Sequence, residues 1–456
     1  GPSRFGPNFN ELNLFQLGDD LSWVIGRHSG LEANVRNPLT DKTTTVGQLY
    51  KNPSNLNFAP RVGLVWDPLG DGKTSVRAGF GVFFDPLWTD FYANAANRTP
   101  PFYTLGSVRD PVFPNAAAVT SSPNFVLGRQ DTLVYEPQNP YSLHTNFSVQ
   151  REVIKGGTLT VAFVRQRGLH EVRSVDQNQA IPTIQADGRK FFPANSVVRN
   201  PNFSGIRHKT TDGQSSYNGL QTTFEYRRNK YLSLHTSYTW SKAIDDGSIV
   251  TTQGGDNDLP QDPDSRRAER GLSNYDLRHY FISYVTTEMP RFGGPEWLTA
   301  GWQFNAISTL ASGNPFSVVV GFDQAQARFQ AGTSPQRPDL VAGRSNNPIL
   351  GRPNKYFDPA AFALPAPGYY GTLGRNTLIG PGLLALDLAA NKTFRLREGL
   401  NLQFRTEVFN SLNHPNFSIP SQRTLFSSTG AVGSAGAITT TRTSSRQLQF
   451  GLKLTF

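Results

Sequence analysis

The chain has 456 residues, 44 Lys and Arg against 34 Asp and Glu, a formal net charge of +10 and no cysteine. The missing cysteine excludes a disulfide framework and thiolate chemistry and leaves the redox compartment undecided. No apolar run reaches the ~18 residues of a membrane-spanning helix, and the basic residues are spread along the chain, which reads as a polar lumen and anion-facing loops and not as a nucleic-acid surface.

Aromatics make up 12% of the residues, Gly and Pro number 42 and 32, and Met occurs once. This mix suits many short strands joined by irregular loops and suits helices poorly. Low mean hydropathy is compatible with a transmembrane barrel, because half of each strand faces a wet lumen. The sequence opens on Gly1-Pro2-Ser3 with neither an initiator Met nor a secretory signal, and is expected to be a mature or truncated product.

Strand-like stretches come in pairs. A weak pair is expected at 12–24 and 30–36, around Gly26-Arg27-His28-Ser29. Residues 61–67 pair with 75–84 across Leu69-Gly70-Asp71-Gly72-Lys73, where Asp-Gly is a hairpin signal. Residues 143–153 pair with 158–166 across Lys155-Gly156-Gly157. The cleanest hairpin follows. Leu220, Phe224 and Tyr226 face one way and Gln221, Thr223 and Glu225 the other. After Arg228-Asn229-Lys230, Leu232, Leu234, Tyr238 and Trp240 alternate with Ser233, His235, Ser237 and Thr239. Further pairs are 275–288 with 301–311, and Leu384–Ala390 with Leu402–Val408 across Arg397-Glu398-Gly399. Glu225, Asp387, Arg405 and Glu407 are placed on the lumen face, where charge is tolerated.

The chain ends on a last strand in which Leu448, Phe450, Leu452, Leu454 and Phe456 alternate with Gln447, Gln449, Gly451, Lys453 and Thr455. That length and alternation fit one stave of an outer-membrane barrel. Eleven strong strands are counted, or about thirteen with the weak N-terminal pair. Between the pairs run long connections, roughly 85–142, 167–216, 243–274, 313–383 and 412–445, rich in Pro, Asn, Ser, Gly and Asp. Short turns on one side and long loops on the other are expected of such barrels, with turns periplasmic and loops extracellular. The expected fold is all-β, an antiparallel transmembrane β-barrel.

Several segments carry a family resemblance: Asn57-Phe58-Ala59-Pro60-Arg61-Val62-Gly63 with Trp66-Asp67-Pro68, Ser237 to Asp246, Tyr275-Asp276-Leu277-Arg278-His279, Gly374-Arg375-Asn376-Thr377, Glu407-Val408-Phe409-Asn410 to Phe417, and Arg446 to Gly451. Together they resemble the C-terminal barrel portion of the Oar-like TonB-dependent outer-membrane receptors of acidobacteria and myxobacteria. The pattern is carried by 57–456 and only faintly by 1–56, within one barrel domain over 1–456. The resemblance implies, for full-length members, a signal peptide, a carboxypeptidase-regulatory-like domain, a plug and a 22-stranded barrel. Neither plug nor TonB box is found in this chain, and it reads as a barrel fragment, or as one chain of an assembly that needs more protein to close. Gln449, Gly451, Leu454 and Phe456 are similar to the C-terminal signal read by the bacterial barrel-assembly machinery.

Other chemistry finds blander readings. Gly70-Asp71-Gly72-Lys73-Thr74 has Asp67 where a P-loop needs its first Gly, and is read as a hairpin turn. Asp256, Asn257, Asp258, Asp262 and Asp264 could offer oxygens to calcium, but Pro260 and Pro263 and the absence of EF-hand spacing favour an extended polar loop. The seven histidines form no zinc spacing, and no nucleophile elbow is present. Asp245-Asp246 is read as a solvated loop beginning. Trp66, Trp240, Trp302, Phe404 and Phe456 are read as an interfacial girdle, whereas Trp88, Tyr92, Phe102, Tyr103 and Tyr135 are loop aromatics able to stack on a ligand.

The expected protein is therefore not an enzyme, with no catalytic residues, cofactor or metal. It is an outer-membrane TonB-dependent receptor that takes up a scarce solute through its extracellular loops. Its expected partners are outer-membrane lipid and lipopolysaccharide, the barrel-assembly machinery, the TonB complex through a missing N-terminal part, and a solute ligand of unknown identity. Alternatives are a surface-interaction or adhesion barrel without coupled uptake, and a passive porin-like channel.

Overall fold

The computed structural model describes residues 54, 56–87, 91, 128–227, 231–248, 259–291, 293–329 and 336–456, and the strand backbones at 33–36, 43–46, 106–108, 125–127 and 228–229. Eleven strands run in one antiparallel path in which each neighbour in space is also the neighbour in sequence. They are β1 (Arg61–Trp66), β2 (Thr74–Phe84), β3 (Tyr141–Ile154), β4 (Gly157–Asp176), β5 (Ile206–Asn229) and β6 (Leu232–Asp245). The path continues through β7 (His279–Glu288), β8 (Trp302–Ala311), β9 (Leu383–Arg397), β10 (Leu400–Phe409) and β11 (Gln447–Thr455). These are the eleven strong strands of the sequence reading, so the hydrophobic alternation located every one. Two short segments join the same sheet: Gln130–Leu133, parallel to the start of β5, and Gly271–Leu272, beside the end of β6. β1 and β11 each pair with a single neighbour, so the described sheet has two edges.

The weak N-terminal pair is corrected. Strand Ala33–Arg36 falls within 30–36, but it pairs with Thr43–Val46, a run of β-branched residues, in a separate two-stranded ribbon. Residues 12–24 lie outside those described.

Cross-strand register fixes two faces, since directly paired residues share one. Leu220, Phe163 and Phe147 pair in one row, and Leu448, Val408 and Leu388 in another. All of these lie on the apolar face, with Trp66, Phe80, Trp240, Phe304, Phe404, Phe450 and Leu452. Leu452 is 72% exposed and Phe450 63% exposed, so this face packs against no core of its own. An exposed apolar band far larger than a soluble surface tolerates fits hydrocarbon. Basic side chains stand on this face near the turns: Arg151, in register with Thr74 and Leu159, and Lys392. The Lys392 Nζ passes 5.3 Å from the Trp302 ring centroid and donates to the carbonyls of Leu298 and Ala300, reaching the turn by its aliphatic stem.

The opposite face is polar and bonded to itself. His235 meets Glu225 at 3.2 Å, Thr286 donates to Asn305 at 2.9 Å, Asn391 donates to Gln303 at 3.2 Å, and Arg405 donates to Glu407 at 2.5 Å. Glu225, Asp387, Arg405 and Glu407 all lie on this face, as the alternation predicts.

At the turn end, Asp67 closes the first hairpin by accepting from the amides of Leu69, Gly70 and Gly72 at 3.2, 3.0 and 2.9 Å. Gly70 and Gly72 stand at φ 63° and 66°, where a side chain would be strained. The residue that breaks the P-loop pattern is thus the one that holds the turn. The β7–β8 turn is longer and contains a helical turn, Glu296–Thr299, with Trp297 and Leu298 exposed.

At the other end the strands outgrow a membrane. β4 has 20 residues and β5 has 24, whereas a tilted stave needs about 9–11. Their far halves stand clear of the apolar band and carry the connections. Those connections fold. Residues 313–383 and 412–445 contain five short strand pairings and a hydrophobic core of Phe316, Val318, Phe357, Phe362, Leu378, Leu425 and others. Among the described residues the larger hydrophobic core lies there and not in the sheet.

The two faces predict opposite responses to charge. Leu388→Arg on the apolar face should lower barrel stability by about 2–4 kcal/mol, while Gln403→Arg on the polar face should be near neutral. Urea titration of heat-modifiable electrophoretic mobility reads both; equal effects would refute the assignment of faces.

Candidate functional site

The candidate site forms where β4, β5 and β6 leave the apolar band and meet the two connections 243–274 and 313–383. A buried polar hub holds them together. Arg375 donates through Nε to the Glu269 carbonyl at 2.8 Å, through Nη1 to Ser248 Oγ at 3.1 Å, and through Nη2 to the Asp245 carbonyl at 2.8 Å and to its carboxylate. Ser248 in turn donates to the Asp245 carboxylate and accepts the Asn274 amide at 2.9 Å. Asn376 sits at φ 54°, a conformation Asn tolerates better than most residues. Its Nδ2 donates to the Leu272 carbonyl and to Asn274 Oδ1 at 2.8 and 2.6 Å. Asp276, 3% exposed, accepts the Ala243 amide at 2.6 Å.

Asp245 and Asp246 are therefore not a solvated loop beginning: they are 5% and 8% exposed. The reason is that each carboxylate has a fixed partner set. Asp245 takes Arg375 and Ser248, while Asp246 accepts the Gln214 amide at 2.9 Å and lies 3.3 Å from Arg266. Burial still outweighs these contacts for Asp246 and raises its pKa above the usual carboxylate value.

A second brace joins Glu269 to Arg337 by two hydrogen bonds of 2.8 and 3.0 Å, with the two side chains only 2% and 4% exposed. Arg337 Nε also donates to the Leu373 carbonyl at 2.8 Å. Fork-to-fork pairing of this kind fixes orientation as well as charge. A third tie starts at Asn410, at φ 47°, which donates to the carbonyls of His414 and Ser444 at 3.1 and 3.0 Å. Asn416 exchanges hydrogen bonds with the backbone of Leu384 at 2.8 and 3.0 Å, pinning connection 412–445 to the start of β9.

Two cavities open beside the hub. One, of about 440 Å3, lies between the ends of β4, β5 and β6 and is lined by Asp85, Glu171, Tyr217, Asp245 and Ser273 among others. The other, of about 770 Å3, is lined by Asn314, Phe316, Arg337, Arg375, Arg423 and Arg442 among others. Tyr275, 68% exposed, lines both. Glu171, clear of the apolar band, accepts Ser215 Oγ at 2.6 Å. Burial raises its pKa, the hydroxyl opposes that, and the nearby Asp246 and Asp245 charges add to it.

The other candidates fall as follows. Gln449 and Gly451 face the polar side, paired with Glu407 and Arg405, while Leu454 lies on the apolar face and Phe456, beyond the strand, is 96% exposed. Three of the four share one edge strand, and Phe456 follows it. Trp66, Trp302, Phe404 and Phe456 cluster toward the turn end, and Trp240 stands at the loop end of β6. Asp262 and Asp264 are engaged by Lys190 at 2.7 and 2.8 Å, and Asp264 also by Arg199 at 2.9 Å. Among the described residues no group of three or more His, Asp or Glu is placed to hold a metal ion. Asp256, Asn257, Asp258, Trp88, Tyr92, Phe102 and Tyr103 lie outside the described residues, and Tyr135 is half exposed.

Sequence reasoning missed Glu171, Glu269 and Arg337, which carry no local pattern. Arg375 lay within a quoted motif but was given no role. Three of the quoted motifs, 237–246, 275–279 and 374–377, converge on this hub. The Outer membrane beta barrel domain model matches residues 30–449. The chain belongs to that family. It is a protein of the bacterial outer membrane, and the exposed apolar face of its sheet is the face that meets lipid.

Similar solved structures include the outer membrane transporter YddB from Escherichia coli, at 10% identity and a TM-score of 0.49 over 89% of this chain and 41% of that one. The siderophore receptor PiuA from Acinetobacter baumannii aligns at 8% identity and 0.40, over 86% of this chain and 35% of that one. The ferripyoverdine receptor of Pseudomonas aeruginosa aligns at 9% and 0.39, over 90% and 33%. This chain thus spans less than half the length of each. No curated protein matches the sequence.

Arg337→Met should leave the Glu269 carboxylate buried without its counter-ion, a loss of roughly 3–5 kcal/mol. External protease on intact cells should then cut connection 313–383 faster. Adding Glu269→Met should restore part of the protection, and unchanged cleavage in the single variant would show that the pair does not brace the loops.

Proposed function

We propose that this chain is the C-terminal barrel portion of a TonB-dependent receptor of the Oar-like type, which captures a scarce solute with its extracellular loops. The observation that carries this reading is the folded loop mass at one end of the sheet. It has its own apolar core, two buried ion pairs and two cavities at the mouth. Loops ordered before a ligand arrives lose less entropy on binding it. A passive channel needs an open path and gains nothing from such a mass. In the complete protein a plug coupled to the inner-membrane TonB complex would move the solute across, with lipopolysaccharide around the loop end.

The reading is tested in cells of the native source with and without the full-length gene. Solutes remaining in the medium are quantified by mass spectrometry. A solute depleted only when the gene is present, and no longer depleted after a protonophore, is the expected result. Depletion that survives the protonophore would replace the receptor with a passive channel. No depleted solute, together with lost surface attachment, would replace it with an adhesion barrel.

We further propose that Gln449, Gly451, Leu454 and Phe456 form the signal read by the barrel-assembly machinery. At 96% exposure Phe456 packs against little of the protein itself. Its deletion should lower the amount of protein in the outer-membrane fraction several-fold while leaving the urea midpoint of the assembled barrel unchanged. Normal amounts in that fraction would refute the role.

A further inference from the structure

We propose that the two cavities at the loop end together bind a zwitterionic ligand, a short peptide with free amino and carboxyl ends. This rests on the receptor reading and names the class of solute.

The cavities have opposite charge. Among its described lining residues the smaller has three carboxylates, Asp85, Glu171 and Asp245, and neither Lys nor Arg. Asp245 is engaged by Arg375, whereas Glu171 is bonded to a hydroxyl and meets neither Lys nor Arg in this lining. Among its described lining residues the larger cavity has four arginines, Arg337, Arg375, Arg423 and Arg442, against the single carboxylate of Glu269. Arg337 is committed to Glu269 and Arg375 to Asp245. Arg442 is exposed and its guanidinium donates to Asn314 Oδ1 at 3.0 Å, which leaves further N–H donors for a ligand.

The cavities also share a wall. Tyr275 lines both, and the Ser248 hydroxyl on the acidic side accepts from Arg375 and from the Asn274 amide on the basic side. Each volume, about 440 and 770 Å3, lies within the range of small-ligand pockets. A ligand lying across Tyr275 would place an ammonium near Glu171 and a carboxylate near Arg442. The Tyr275 ring and the apolar linings, Val172 on one side and Phe316 on the other, would meet what lies between. Such a field rejects anions at one end and cations at the other, so it selects dipoles in one orientation.

The test uses the full-length protein in detergent micelles and a tripeptide library with free termini. The same library is presented N-acetylated and C-amidated, and retained peptides are quantified by mass spectrometry. The free library should be retained, and each blocked library should bind about tenfold more weakly. Glu171→Gln should abolish the acetylation penalty alone, and Arg442→Gln the amidation penalty alone. The comparison among libraries needs no variant, so a variant that fails to fold leaves the proposal testable. Equal retention of all three libraries overturns it. So does failure to retain any of them by a protein that still depletes another solute in energised cells, which leaves the receptor reading intact. Charge-sorted retention by a protein that depletes nothing would support the site and sink the uptake reading.

Discussion

In hydrocarbon every backbone N–H and C=O must find its partner inside the protein, and a sheet can do this only strand against strand. That constraint fixes the rest of this molecule. It explains why the strands follow one another in space as in sequence, since a hairpin meander brings each new strand to an existing edge. It also requires strict alternation across neighbours, because a one-residue slip would turn Leu220 inward and Gln221 outward on a strand paired at both sides. The basic side chains Lys392 and Arg151 on the lipid face sit near the turns, where Lys392 reaches the carbonyls of the adjoining turn by its stem and Arg151 donates to Thr74.

A sheet that gives its apolar face to lipid has no apolar face left to pack a protein core. The loops of this chain supply their own instead, around Phe316, Phe357 and Leu378. An apolar cluster is not enough to fix three long connections to one another, because it has no directional preference. The buried arginines add direction. Arg375 reaches four acceptors on two chain segments, at 245–248 and at 269, and Arg337 ties Glu269 to the Leu373 carbonyl. Such pairs add little net stability over well-packed apolar residues, and their value lies in allowing one arrangement of the segments.

The alternation made the wall legible from sequence, down to the number of strands and the face of Glu225 or Asp387. It could do so because the period of two is imposed residue by residue. The ends of the long strands were not legible. β4 and β5 continue past 166 and before 216 into Gly-, Arg- and Ser-rich stretches such as 165–168 and 211–216, whose alternation lapses where lipid no longer demands it. The loop core was hidden for a similar reason: Phe316, Phe357 and Leu425 come from segments without a period, and only the fold brings them together. Asp245-Asp246 misled because adjacent carboxylates ordinarily mean solvent, and their partners Arg375 and Arg266 are far away in sequence.

Three of the motifs that carried the family resemblance supply the hub, and the hub is saturated. Asp245, Arg375, Asn376 and Asp276 each have their polar groups committed to other parts of the chain, so they position loops and have little left with which to contact a solute. The groups with capacity to spare, Glu171, Tyr275 and Arg442, stand at the rim of the hub. This division separates shape from selectivity. A change at the rim would alter which solute is held while leaving the loops in place, whereas a change in the hub would loosen both cavities at once. On the receptor reading proposed above, new ligands could be accommodated without rebuilding the sheet or its brace, because the side chains that would recognise a ligand are not the ones that hold the mouth in shape.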